Sequence, residues 1–126
     1  MKVIAREVEG ITIVDVIGRI VLGEDESLLR ETVAGLIANG RRQFLLNMAG
    51  VPYMDSSGLG ALVETYHGVH RVGGRLQLLK LTKKLLELLE MTRLNKIFEL
   101  TDDEVEAVRK LRNLDAPVLR SLSLAS

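Results

Sequence analysis

The chain has 126 residues, enough for one domain with its own core and no need of disulfide or metal staples. Lys plus Arg equal Asp plus Glu at 17 each, so no net field draws the protein to nucleic acid or anionic lipid, and the lack of cysteine excludes disulfides, thiolate metal sites and thiol nucleophiles. Two Phe, two Tyr and no Trp leave an aliphatic core and little for base stacking; no apolar run reaches the roughly 18 residues of a bilayer span, and a cytoplasmic setting is expected.

Residues 3–8 and 11–17 ("ITIVDVI") are rich in β-branched side chains and flank Glu9 and Gly10, which predicts an antiparallel hairpin. Gly18 breaks the run, and "RIVL" after it reads equally as a third strand or as an edge segment. From Glu24 the period changes. Leu28, Leu29, Thr32, Val33, Leu36 and Ile37 mark one face of a helix, with three acids at its start and Asn39 and Gly40 at its end. "QFLLNM" (43–48) has the continuous apolarity of a buried strand, interrupted by Asn47.

A second helix is expected from about Ser57 to Val72, with Leu59, Leu62, Val63, Tyr66 and Val69 on one side and Gly73 and Gly74 closing it. "RLQLLKL" (75–81) reads as a strand, and Thr82 as the cap of a helix over "TKKLLELLEM". Ile97 and Phe98 suggest a last short strand. Thr101 with Glu104 three residues later has the form of a capping box, before a terminal helix striped by Val105, Val108 and Leu111. The expected order is ββ(β)αβαβαβα, a single α/β domain over residues 1–112 with a mixed β-sheet and packed helices. Residues 113–126 ("…LDAPVLRSLSLAS"), with Pro117 against helix continuation, are expected to be a tail.

The informative stretch is "MDSSGLG", residues 54–60, at the mouth of the second helix. The first amides of a helix lack backbone partners and its dipole favours an anion there, so Asp55, Ser56 and Ser57 suit the place. Two readings stay open on this ground alone. One is a capping cluster in which Gly58 and Gly60 allow close packing; the other is a functional anion-tolerant site. A serine nucleophile fits poorly: neither Ser56 nor Ser57 has the Gly-x-Ser-x-Gly frame, and the only candidate bases, His67 and His70, lie a turn or more down the helix. Glu64, His67 and His70 have the spacing of a ligand triplet but lack further His or Cys partners, and read as a solvated face. No Walker or dinucleotide-binding pattern occurs, and no cofactor is expected.

"VPYMDSSGLGALVETY" resembles the signature of the STAS-domain anti-anti-sigma factors, the anti-sigma factor antagonists of bacteria. The resemblance continues through "RRQFLLNMAG" and "VGGRLQLLKLTKKLLELLEMTRLNKIFEL", about residues 2–112 in all. It implies a small mixed sheet with packed helices, and a non-enzymatic protein switched by phosphorylation. The first serine after the aspartate, Ser56, would be phosphorylated by an anti-sigma factor that is also an ATP-dependent serine kinase. The unphosphorylated form would bind that kinase and free the sigma factor, and a phosphatase would reset it. Asp55, Ser57, Gly58 and Leu59 would shape the kinase-facing surface. One departure stands out: many such antagonists carry a Gly-x-Leu-Asp pattern after the second strand, whereas "GRIVLGEDE" places its first acids at Glu24 and Asp25. A STAS accessory or scaffold subunit of a stress-signalling complex or lipid-transport machine is the alternative.

Overall fold

The computed structural model describes residues 1–113. β1 (Lys2–Val8) and β2 (Ile11–Ile17) pair antiparallel, with Val8 opposite Ile11. The two residues between them, Glu9 at φ 52° and Gly10 at φ 83°, are both left-handed. That is the two-residue turn whose twist matches its strands. α1 (Glu24–Ala38), β3 (Gln43–Gly50), α2 (Ser56–Arg71), β4 (Arg75–Leu79) and α3 (Lys83–Met91) follow. A single 3-10 turn, Leu94–Lys96, leads to β5 (Glu99–Thr101), and residues 104–113 form a helix, α4. The sheet order is β1-β2-β3-β4-β5, parallel except for β1. The expected mixed sheet and element order are therefore present.

One open reading is decided and two local expectations are corrected. "RIVL" forms no strand of its own, and Ile20 makes one isolated parallel bridge to Met54. The last strand lies at Glu99–Thr101 and not at Ile97 and Phe98; Phe98 is buried as a core side chain against Tyr66, which its apolarity alone does not distinguish from strand membership. Asp103 caps α4, accepting from the Glu106 amide at 3.1 Å, while Thr101 ends β5 and Glu104 turns to Arg6. Correspondingly, the buried stripe of α4 is Ala107, Val108 and Leu111, and Val105 is 77% exposed. The tail expected beyond Asn113 lies outside the described residues.

The pleat divides the apolar residues between two cores. Val14, Val16, Phe44, Leu46, Met48, Leu76 and Leu78 face α1, α2 and α3, where Leu29, Val33, Leu62, Val69, Leu85 and Leu89 meet them. On the opposite face Ile11, Ile13, Leu45 and Leu79 pack beneath α4. The polar Asn47 in the midst of β3 has its reason on this second face. Its amide donates to Asp15 at 2.8 Å; Asp15 accepts from Arg6 at 2.7 and 3.2 Å; Arg6 reaches on to Glu104 at 2.6 Å. Four elements are thus tied by one half-buried polar chain.

Arg6 holds the Asp15 and Glu104 carboxyls below their ordinary range. A carboxyl depressed in the folded state contributes stability in full above the ordinary carboxylate range, near pH 4, and loses it as pH falls through the depressed value. Arg6→Met is therefore expected to lower thermal stability at neutral pH by about 1 kcal/mol, since solvent screens these partly exposed groups. Thermal melts at pH 7 and pH 3 test this, with the gap between wild type and variant narrowing at the lower pH. An equal gap at both would reject the ionic account.

Candidate functional site

β3 delivers the chain to the site. Its pairing with β2 slips from Asp15 opposite Asn47 to Ile17 opposite Gly50, an irregularity that bends the strand end. Val51 then turns back, its amide donating to Met48 at 3.0 Å, and sits fully buried as an anchor for the loop that precedes α2. Tyr53 and Met54 run beside the β2–α1 connection. Ile20 donates to the Tyr53 carbonyl at 3.1 Å and accepts from the Asp55 amide at 3.3 Å. Two loops from adjacent strands form one backbone-bonded platform, and "MDSSGLG" lies on it.

The helix begins at Ser56, and Asp55 is its cap. One carboxylate oxygen accepts from the Gly58 amide at 2.8 Å, and the other accepts from the Leu22 amide at 3.0 Å, across the platform. The amides of Gly58 and Leu22, in that order of weight, hold the Asp55 carboxyl below its ordinary range. Asp55 is thus an ionised carboxylate whose two oxygens are both hydrogen-bonded to amides. Among the three candidates for the cap it is the one that serves, and neither serine does.

Ser56 is exposed at the first position of α2, and Ser57 beside it is half-buried. Gly58 is buried against Ile20: a Cβ built there would lie 2.0 Å from the Ile20 carbonyl oxygen. Gly60 is the opposite case, exposed and with nothing within 4 Å of such a Cβ, so the expected close packing applies to one of the two glycines. Leu59 is half-buried and turns toward α3. Asp55, Ser56, Leu59 and the exposed Tyr53 line a groove of about 590 Å³, whose far wall is Leu88 and Met91 of α3.

The other polar candidates on α2 are engaged elsewhere. Glu64 accepts from Arg30 of α1 at 2.8 Å, and His70 lies with its ring centroid 4.2 Å from that of Tyr66. Among the described residues no group of three or more His, Cys, Asp or Glu side chains is placed to hold a metal ion, and no helix is long and apolar enough to cross a membrane. The sequence did not point to Leu22, Tyr53 or Met91. Their one available signal was apolarity in loops and at a helix end, outside the periodic stripes.

Removing the Asp55 carboxylate separates its roles. Asp55→Asn retains an acceptor for the Gly58 amide but turns an NH2 donor toward the Leu22 amide and is expected to melt below wild type, whereas Asp55→Ala loses both the cap and the tie to Leu22 and melts lower still. Thermal denaturation of the pair checks this, and equal loss in both would show that charge and not capping matters.

The chain is a small mixed-sheet α/β domain that presents an exposed serine on a preformed helix start. The chain belongs to the STAS domain family, whose model matches residues 2–107. It is similar to the anti-sigma-B factor antagonist of Bacillus subtilis, with 35% identity over 74 residues that cover 59% of this chain and 67% of that protein. Its fold resembles a crystal structure described as a putative anti-sigma factor antagonist of Thermotoga maritima, with a TM-score of 0.81 and 22% identity over 87% of this chain and 94% of that one. It also resembles the Bacillus cell fate determinant SpoIIAA in its phosphorylated form, with a TM-score of 0.69 and 18% identity over 86% and 98% of the two chains.

Proposed function

We propose that this protein is an anti-sigma factor antagonist: its unphosphorylated form binds an anti-sigma factor that is a serine kinase, freeing the sigma factor, and phosphorylation of Ser56 ends that binding. The observation that carries the reading is the division of labour at the start of α2, where Asp55 takes the amide donors and Ser56 is left exposed. A phosphate on Ser56 carries about −1.5 to −2 charges near neutral pH. The helix dipole tolerates it there, so the fold has no need to change. Asp55 already engages the Gly58 amide and Ser56 is exposed, so the charge of a phosphate there would face the partner.

The similarity to the Bacillus subtilis antagonist supports the partner class, and the phosphorylated SpoIIAA structure supports a phosphorylated state compatible with this fold. A phosphatase would restore the binding form. Asp55, Ser57, Gly58 and Leu59 shape the surface around the phosphoacceptor, Asp55 and Gly58 by fixing its backbone.

The test is direct phosphorylation by the anti-sigma factor kinase of the same cell, with ATP and mass spectrometry of the product. One phosphate on wild type, none on Ser56→Ala and one on Ser57→Ala is the expected pattern. Undiminished phosphorylation of Ser56→Ala would remove the assignment.

A further inference from the structure

The second face of the sheet is covered by a single helix, and its attachment differs from that of the others. Ile11, Ile13, Leu45 and Leu79 are fully or almost fully buried, and among the described residues α4 is the one helix packed on them. α4 brings only Ala107, Val108 and Leu111 to that contact, and the apolar cluster they complete shares no residue with the one beneath α1, α2 and α3. Ion pairs supply the rest of the attachment and are spread along the helix. Glu104 accepts from Arg6 of β1 at 2.6 Å, Lys110 lies 3.9 Å from Glu99 of β5, and Arg112 lies 3.0 Å from Glu9 in the β1–β2 turn.

We infer that α4 is an ion-latched cover that opens as a unit about Asp102, exposing Ile11, Ile13, Leu45 and Leu79 while the rest of the domain stays folded. Its departure strands no charge on the sheet. Arg6 also donates to Asp15 at 2.7 Å, Glu99 also accepts from Gln77 at 3.0 Å, and Glu9, 55% exposed, is solvated at its turn. Opening therefore costs one modest apolar contact and three partly exposed ion pairs, without the penalty of an unpaired buried charge. The hinge follows from the bonds on either side of it. The Thr101 carbonyl accepts from the Lys80 amide at 2.8 Å and fixes the end of β5, the Asp103 side chain caps α4, and exposed Asp102 lies between them. The seat of Ser56 is untouched, because α2 packs on the other face, in the cluster to which α4 contributes nothing. Ionic strength sets the opening, since salt screens partly exposed pairs and leaves the apolar contact in place. The inference does not depend on phosphorylation of Ser56: it gives the domain a second surface, controlled separately from the first.

Native-state hydrogen exchange of the full chain, followed residue by residue by NMR at low concentrations of urea, tests the cover. The amides of Ala107, Val108 and Leu111 are expected to share one opening free energy, well below that of the Leu45 amide in β3, and to depend less on urea because less surface is exposed. Glu104→Gln combined with Arg112→Gln is expected to speed their exchange roughly 5- to 10-fold at low salt, and high salt is expected to bring the wild type toward the variant. Exchange of the α4 amides only together with Leu45, with the same urea dependence, would overturn the cover, and this is read from the wild type without any variant. Wild-type exchange in α4 that ignores salt, or a folded double variant whose α4 amides exchange no faster than wild type, would overturn the latch.

Discussion

Gly58→Ala is expected to destabilise the fold by about 3 kcal/mol or more and to lower the melting temperature by roughly 10 °C. The reason is a contact with backbone and not with a side chain that could rotate away. The added Cβ would fall 2.0 Å from the Ile20 oxygen and 2.9 Å from its carbonyl carbon. Ile20 has no freedom to withdraw: its side chain is fully buried, and its amide and carbonyl are held by Tyr53 and Asp55. Either the β2–α1 connection separates from the platform or the first turn of α2 tilts, and both dismantle the seat of Ser56. Gly60→Ala, two residues on, is expected to do the reverse. It adds a methyl in open space on a helix and removes glycine's excess unfolded-state freedom, worth about 0.5–1 kcal/mol of stabilisation. Thermal melts of the two variants decide the matter by sign: a Gly58→Ala protein as stable as wild type would mean that the platform is not the rigid seat described.

Ser56→Asp is expected to weaken the kinase complex at least 10-fold while leaving the melting temperature unchanged or slightly raised. The two effects have opposite signs because the same charge meets different surroundings. Toward its own fold, an acid in the first helical turn interacts favourably with the dipole, by about 0.3–1 kcal/mol. Toward a partner, it sits beside the ionised Asp55 and at the margin of an apolar groove, so binding must desolvate it. The full phosphate, with nearly twice the charge and greater bulk, is expected to cost 100-fold, equivalent to about 2.7 kcal/mol. Titration of the kinase against wild type and variant, with parallel melts, measures both. A drop in affinity accompanied by a drop in stability would trace the loss to damage of α2 and not to the switch.

The hairpin, the alternation of strands and helices and the start of α2 were legible in the sequence because each rests on local signals: β-branched runs, helical spacing, and cap residues beside glycine. The resemblance in "VPYMDSSGLGALVETY" further separated Ser56 from Ser57, which local chemistry alone left equivalent. What could not be read was nonlocal. The carboxylate of Asp55 engages Leu22, 33 positions away, and the exclusion of a side chain at Gly58 is set by Ile20; neither pairing has a sequence signature. Thr101 and Glu104 met the spacing of a capping box, but Asp103 is the residue that caps α4, and Glu104 pairs instead with Arg6, 98 positions away. The apolar groove joins the ends of α2 and α3, and only the sheet order brings Tyr53 and Met91 to the same depression.

The central claim is that one exposed hydroxyl on an unmoving helix start sets partner affinity. It is tested most directly by titrating the anti-sigma factor kinase, by calorimetry in the presence of ADP, with a single preparation of this protein before phosphorylation, after it, and after phosphatase treatment. The account predicts one phosphate, on Ser56, an affinity loss of about 100-fold, and full recovery once the phosphate is removed. Equal affinity in the three states, with Ser56 verified as phosphorylated in the second, would contradict it.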